Sequence, residues 1–158
     1  MDGIEIIAAP LEDLSDQEFW PQWGEFLTTP LYYNAFLEHF PIRTASVLAT
    51  IAAANNKGGL LFHCAVGRDR TGLIALLLLA LAGAKPDEIV ADYELSEHRL
   101  GRELEQNNIS ALLVRENTSV RQAILALLSV IDGATYMQQA GLSETEINSL
   151  RSRMMQSG

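Results

Sequence analysis

The 158-residue chain has a single cysteine, Cys64. One thiol excludes an internal disulfide and suits a reducing, cytoplasmic setting in which a reactive thiol survives. Histidine is almost as scarce. His39, His63 and His98 are scattered, and with one cysteine they give no metal-ligand spacing, so no metal and no other cofactor is expected. Positive charge is in deficit, with 11 Lys and Arg against 20 Asp and Glu and a net charge of −9. That balance argues against nucleic-acid binding and against a polybasic membrane dock. The longest apolar run, Leu73 to Ala82, is too short to span a bilayer and reads as a buried helix. The N-terminus lacks the basic start and apolar core of a secretion signal, and no internal repeat appears. What is present is 48% hydrophobic and 20% charged residues. This suits one domain over residues 1–158, large enough to bury a core.

The chemistry concentrates in His63-Cys64-Ala65-Val66-Gly67-Arg68-Asp69-Arg70-Thr71-Gly72. A short apolar run, Leu60 to Phe62, precedes it, and the long run follows. The order reads as strand, tight loop, buried helix. A loop that enters a helix N-terminus offers free N–H groups and the positive end of the helix dipole, an anion cradle. Gly67 and Gly72 are expected to let the backbone turn and approach a ligand closely.

A thiol becomes a strong nucleophile on ionising, and a cationic helix start lowers its pKa. Cys64 is therefore the candidate nucleophile. Arg70 supplies the planar fork that grips two oxygens of a tetrahedral dianion. Attack on phosphorus gives a thiophosphate intermediate that water hydrolyses. Asp69 is placed to protonate the leaving oxygen and then to activate the water. Thr71 is expected to steady the sulfur, and His63 to orient the loop. The substrate-binding set is His63, Ala65, Val66, Gly67, Arg68 and Thr71. Asp13 and Asp16 are reserve candidates for the acid, although surface and helix-start roles suit them better. Arg43, Arg68, Arg70, Arg99 and Arg102 are the cations that can be placed near the site.

His-Cys-x5-Arg-Thr-Gly resembles the signature loop of the cysteine-dependent protein tyrosine phosphatase superfamily. The fuller His-Cys-x-x-Gly-basic-Asp-Arg-Thr-Gly resembles its bacterial branch with tyrosine and often lipid-phosphate specificity. There the basic position is usually Lys; Arg68 keeps the charge. Pro86 to Ser96 and Gly141-Leu142-Ser143-Glu144 extend the resemblance over most of the chain. It implies catalysis by Asp69, and hydrolysis of phosphotyrosine, with phosphoinositides or phosphoserine and phosphothreonine as further substrates. The partners implied are a phosphorylated protein or a phospholipid headgroup, without stable membrane insertion. The reading from a different class is a non-catalytic phosphate-binding module. Arsenate or sulfur chemistry on such a loop does not need the Asp69 to Gly72 run.

The resemblance also implies an α/β fold: a helix-rich three-layer sandwich around a small, mostly parallel sheet. The strands expected are Ile4 to Ala9 and Leu60 to Phe62. The 62 residues before His63 are few for the family pattern. The sheet region is thus expected to be incomplete at the N-terminus, or completed by a second copy of the chain. Helices are expected from Thr29-Pro30 to Phe40, over about residues 42–54, over Leu73 to Ala82, and from Pro86. Asn55 to Gly59 reads as a turn, and Leu100 to Ser110 as a frayed helix. Ser119-x-x-Gln122 and Ser143-x-x-Glu146 read as capping boxes opening two later helices. A short helix with Tyr136 and Met137 lies between them, and the tail after Arg153 is expected to be disordered.

Overall fold

A computed structural model describes residues 4–54, 59–106 and 109–155. The elements run α1 (Trp20–Trp23), two 3-10 turns (Gly24–Phe26 and Pro30–Tyr32), α2 (Tyr33–His39), α3 (Pro41–Ala53), α4 (Asp69–Leu81), α5 (Pro86–Gln106), α6 (Ile109–Arg115), α7 (Val120–Val130), α8 (Gly133–Gln139) and α9 (Glu144–Met155).

The apolar run forms the hub. α4 is apolar on every side, the pattern of a helix surrounded by protein. Leu73, Ile74, Leu76, Leu77, Leu78 and Leu81 are all buried. It packs against α5, α8 and α9, while α3 also packs on α9 and α7 on α5. Burial of one such side chain is worth roughly 1.5–3 kcal/mol. These contacts therefore outweigh any single cap, worth about 1 kcal/mol, in holding α4 in place.

Caps set the boundaries. Thr29 accepts a hydrogen bond from Leu31 N–H at 3.2 Å, but the first turn behind it is 3-10 before α2 begins. Ser119 caps α7 through Gln122 N–H at 3.1 Å. Ser143 and Glu146 cap each other's N–H groups at α9, at 2.8 and 3.3 Å. Asp132, unnoticed in the sequence, caps α8 through Thr135 N–H at 2.8 Å. α5 continues to Gln106, and α6, also not anticipated, follows from Ile109. Of the turn expected over Asn55 to Gly59, residues 55–58 lie outside the described residues, as do 107–108 of the frayed stretch. Of the tail expected to be disordered after Arg153, Met154 and Met155 instead complete α9, and 156–158 lie outside the described residues.

The expected sheet is corrected: no strand occurs among the described residues. Ile4 to Ala9 and Leu60 to Phe62 are irregular chain without ladder partners. Ile4 (68% exposed), Ile6 (90%) and Leu61 (87%) face outward. β-propensity is a fit to a pleated, half-buried surface, and no described segment supplies that surface. Leu60 and Phe62 instead pack on the helical core, which leads the chain into the loop below α4. In place of an α/β sandwich, the described core is helix on helix.

Candidate active site

The loop from His63 reaches the N-terminus of α4, which begins at Asp69, four residues before the expected start. Asp69, Arg70, Thr71 and Gly72 thus form the first helical turn. Gly67, at φ +81°, makes the turn that a side chain would strain. Gly72 has a different reason from the close ligand approach expected of it. It is helical, and a Cβ there would come within 2.7 Å of the Tyr93 ring.

Cys64 stands at the head of the loop, half-buried. Its N–H donates to Thr71 Oγ1 at 2.8 Å, tying the loop entrance to the helix. The Gly67 N–H donates to Cys64 Sγ at 3.3 Å. Burial pushes the thiol pKa up, but the hydroxyl and N–H of Thr71 and the N–H groups of Gly67 and Val66 favour the thiolate more strongly. The net result is a pKa lowered to about 6. The sulfur is therefore activated by hydrogen bonds at a helix start. His63 is exposed, and its Nδ1 donates to Cys64 O at 2.7 Å, an arrangement that fixes the loop backbone. Ala65 and Val66 are exposed at the mouth.

The two arginines face different ways. Arg68 is only 2% exposed. Its Nη1 donates to Thr28 O at 2.6 Å and lies 3.2 Å from Asp69 Oδ1. Its guanidinium also stands 5.4 Å from the centre of the Tyr93 ring. Arg70 is half-exposed, with Nη1 3.3 Å from Glu12 Oε2. Asp69 is held by two tyrosines: Tyr33 donates to its backbone carbonyl at 2.6 Å and Tyr93 to Oδ1 at 3.2 Å. Burial raises the Asp69 pKa, opposed by Arg68, the Tyr93 hydroxyl, its own N–H and Arg70. A carboxyl so placed holds its proton more readily than one in water, as a general acid requires.

Glu12, Tyr33 and Tyr93 were not singled out in the sequence. Tyr93 falls within the Pro86 to Ser96 stretch of the resemblance but was given no role there, and nothing in the local spacing of Glu12 marks it. Its signal is tertiary: Leu11 is buried and brings Glu12 inward. The reserve acids are engaged elsewhere. Asp13 pairs with Arg43 at 2.5 Å and accepts from Ser15. Asp16 caps Phe19 N–H at 2.7 Å and meets His39 at 3.0 Å. Arg43 is thus occupied by Asp13, Arg99 is exposed on α5, and the Arg102 side chain lies outside the described residues. Among the described residues no cluster of His, Cys, Asp and Glu could hold a metal ion. No described helix is long and apolar enough to cross a membrane.

A tyrosine-protein phosphatase of Nostoc commune is 35% identical, over 80% of this chain and 49% of its own length. A Cupriavidus necator protein named for the same activity is 37% identical, over 64% of this chain and 37% of its own. The triple specificity protein phosphatase PtpB of Mycobacterium tuberculosis is 27% identical, over 76% of this chain and 53% of its own. The chain thus spans about half the length, or less, of the curated relatives it matches. No solved structure gives a significant match. The profile of the tyrosine phosphatase family matches residues 12–156, from Glu12 through α9, and the chain belongs to that family.

Proposed function

We propose that the protein hydrolyses phosphotyrosine in proteins through a cysteinyl-phosphate intermediate. The observation that carries the reading is the Cys64 thiol, with a pKa brought down to about 6 by donors of its own loop. The thiolate attacks phosphorus as the bond to the ester oxygen breaks, and the Asp69 proton passes to that oxygen. Water then attacks the phosphocysteine. Asp69 takes the water's proton, and Cys64 departs as a thiolate kept stable by Thr71 and Gly67. Arg70 holds phosphate oxygens through both steps, and the loop N–H groups hold the rest. Arg68, turned into the protein, adds field rather than contact.

Phosphoinositides and phosphoserine or phosphothreonine are further substrates in this reading. The triple specificity named for the mycobacterial relative supports testing all three classes. The experiment is release of inorganic phosphate from 4-nitrophenyl phosphate, then from phosphotyrosine and phosphoserine peptides and a phosphoinositide. Turnover that disappears in Cys64→Ser is the expected result. No release from any ester, with phosphate binding retained, overturns the enzyme reading and identifies a non-catalytic binding module.

A further inference from the structure

Each arginine of the loop has its own carboxylate, and the two pairs differ in kind. Arg68 meets Asp69, its neighbour in sequence, in the interior. Arg70 meets Glu12, fifty-eight positions upstream, at the edge of the site. The Glu12 side chain is 8% exposed, against 41% for Arg70. An ion pair between two exposed side chains is worth little. Here the carboxylate is largely out of water, so leaving it unpaired is costly; burial raises the Glu12 pKa, and Arg70 is the charge that holds it down.

The segment around Glu12 gives the contact a direction. Ile4, Ile6 and Ile7 are exposed, as is Leu14, whereas Leu11 is 6% exposed and anchors the chain. Between them Leu11 is buried, and Glu12 beside it reaches Arg70 on α4. The Tyr32 hydroxyl is buried and has no hydrogen-bond partner among the described residues, and Glu12 is the charge that acts on it most strongly. Glu12 thus acts on a buried hydroxyl and pairs with a half-exposed guanidinium.

We infer that Glu12 is the positioning residue for Arg70. A half-exposed arginine has several rotatable bonds and samples many directions, and each misdirected rotamer reduces the productive fraction. The pair engages Nη1. Five N–H donors radiate from a guanidinium, so a carboxylate held at Nη1 leaves donors over for a second anion. Those donors can fork two oxygens of a phosphoryl group. Glu12 itself touches no substrate; its effect passes through Arg70.

This inference rests on the site binding a phosphoryl group, so its test includes a readout without turnover. The first arm is a double-mutant cycle on 4-nitrophenyl phosphate with Glu12→Gln and Arg70→Lys. Alone, Glu12→Gln is expected to lower kcat/KM on the order of tenfold to a hundredfold. In the Arg70→Lys background it should change it by less than about threefold, because nothing is left to aim. Equal losses in both backgrounds mean a general structural role and overturn the inference. Melting curves accompany each variant. If Glu12→Gln does not fold, Glu12→Asp, which retains the charge but withdraws it by one methylene, is put through the same cycle with the same expected pattern.

The second arm is alkylation of Cys64 by iodoacetamide, with inorganic phosphate as protectant. Glu12→Gln should need about tenfold more phosphate for half-protection, and no more than that in combination with Arg70→Lys. Tighter phosphate binding in Glu12→Gln would make Glu12 a competitor for Arg70 and overturn the inference. A wild-type protein that is protected but turns nothing over fails the enzyme reading alone, and the protection cycle still decides the role of Glu12.

Discussion

Tyr93 donates its hydroxyl to Asp69 across 3.2 Å while its ring closes over the Arg68 guanidinium at 5.4 Å. One side chain of α5 thus touches both the candidate acid and the cation beside it. Burial raises the Asp69 pKa, and Arg68 and the Tyr93 hydroxyl hold it back. Tyr93→Phe removes one of the restraining contacts, so the Asp69 pKa rises further. An acid must be protonated to act, so the variant's activity on phenyl phosphate should persist to higher pH than that of the wild type. Asp69→Asn should abolish that pH limb and slow phenyl phosphate strongly while sparing 4-nitrophenyl phosphate, whose leaving group needs little protonation. Profiles of kcat/KM against pH for the two esters check both outcomes. Equal slowing of the two esters by Asp69→Asn would make its role structural.

The thiol gives a second pH signature. The folded Cys64 pKa of about 6 lies below its ordinary value of 9.0. Alkylation by iodoacetamide should rise through pH 6 and level off by neutrality, instead of climbing through pH 8 to 9. Phosphate or vanadate should slow the reaction, and peroxide should inactivate the enzyme at the same residue. Thr71→Val removes the hydroxyl that favours the thiolate, so its midpoint moves up. A midpoint that remains near 6 in Thr71→Val would assign the activation to the backbone N–H groups alone.

The site was far more legible in the sequence than the fold. Cys64 to Gly72 is a local structure: its turn, donors and helix start all come from adjacent residues, so the spacing alone describes it. The direction of Arg68 was not readable in the same way. Its burial depends on Thr28 O and the Tyr93 ring, which belong to distant segments. Glu12 is hidden for the same reason, since its neighbours in sequence are ordinary loop residues. Helices with strong caps and apolar periodicity were placed well, whereas α6 has too little of either to stand out. The sheet was misread because Ile4 to Ala9 and Leu60 to Phe62 have strand composition, and composition cannot provide a pairing partner.

Close packing at Gly72 provides a test of how tightly the first turn of α4 is built. A Cβ at this position would lie 2.7 Å from Tyr93 Cε2, 2.8 Å from Cδ2 and 3.2 Å from the Tyr33 hydroxyl. Both rings are in the core and cannot swing into solvent. Gly72→Ala should therefore destabilise the protein by about 1–3 kcal/mol, despite the better helix propensity of alanine. It should also displace the two hydroxyls that hold Asp69, so the folded variant loses more activity on phenyl phosphate than on 4-nitrophenyl phosphate. Thermal unfolding and the two-ester comparison measure these effects separately. A rise in melting temperature would mean that the Tyr93 ring moves aside freely.

The two arginines should separate stability from turnover. Arg68 is 2% exposed and bonded to the Thr28 carbonyl, with Asp69 beside it. Arg68→Met keeps much of the side-chain volume but leaves the half-buried Thr28 carbonyl without its donor and Asp69 without its strongest stabilising charge. Removing one partner of a buried pair costs about 3–5 kcal/mol. In a chain of this size each kcal/mol lowers the melting temperature by roughly 2–4 °C. The Asp69 pKa should also climb, because Arg68 is the main influence lowering it. Arg70→Met acts differently. Its head is 41% exposed, so the fold should tolerate the change better, while phosphate loses its fork and turnover falls on the order of a hundredfold or more. Melting curves and kcat/KM for the two variants should therefore rank in opposite orders. If Arg68→Met melts with the wild type, the interior pairing of Arg68 carries no net stability.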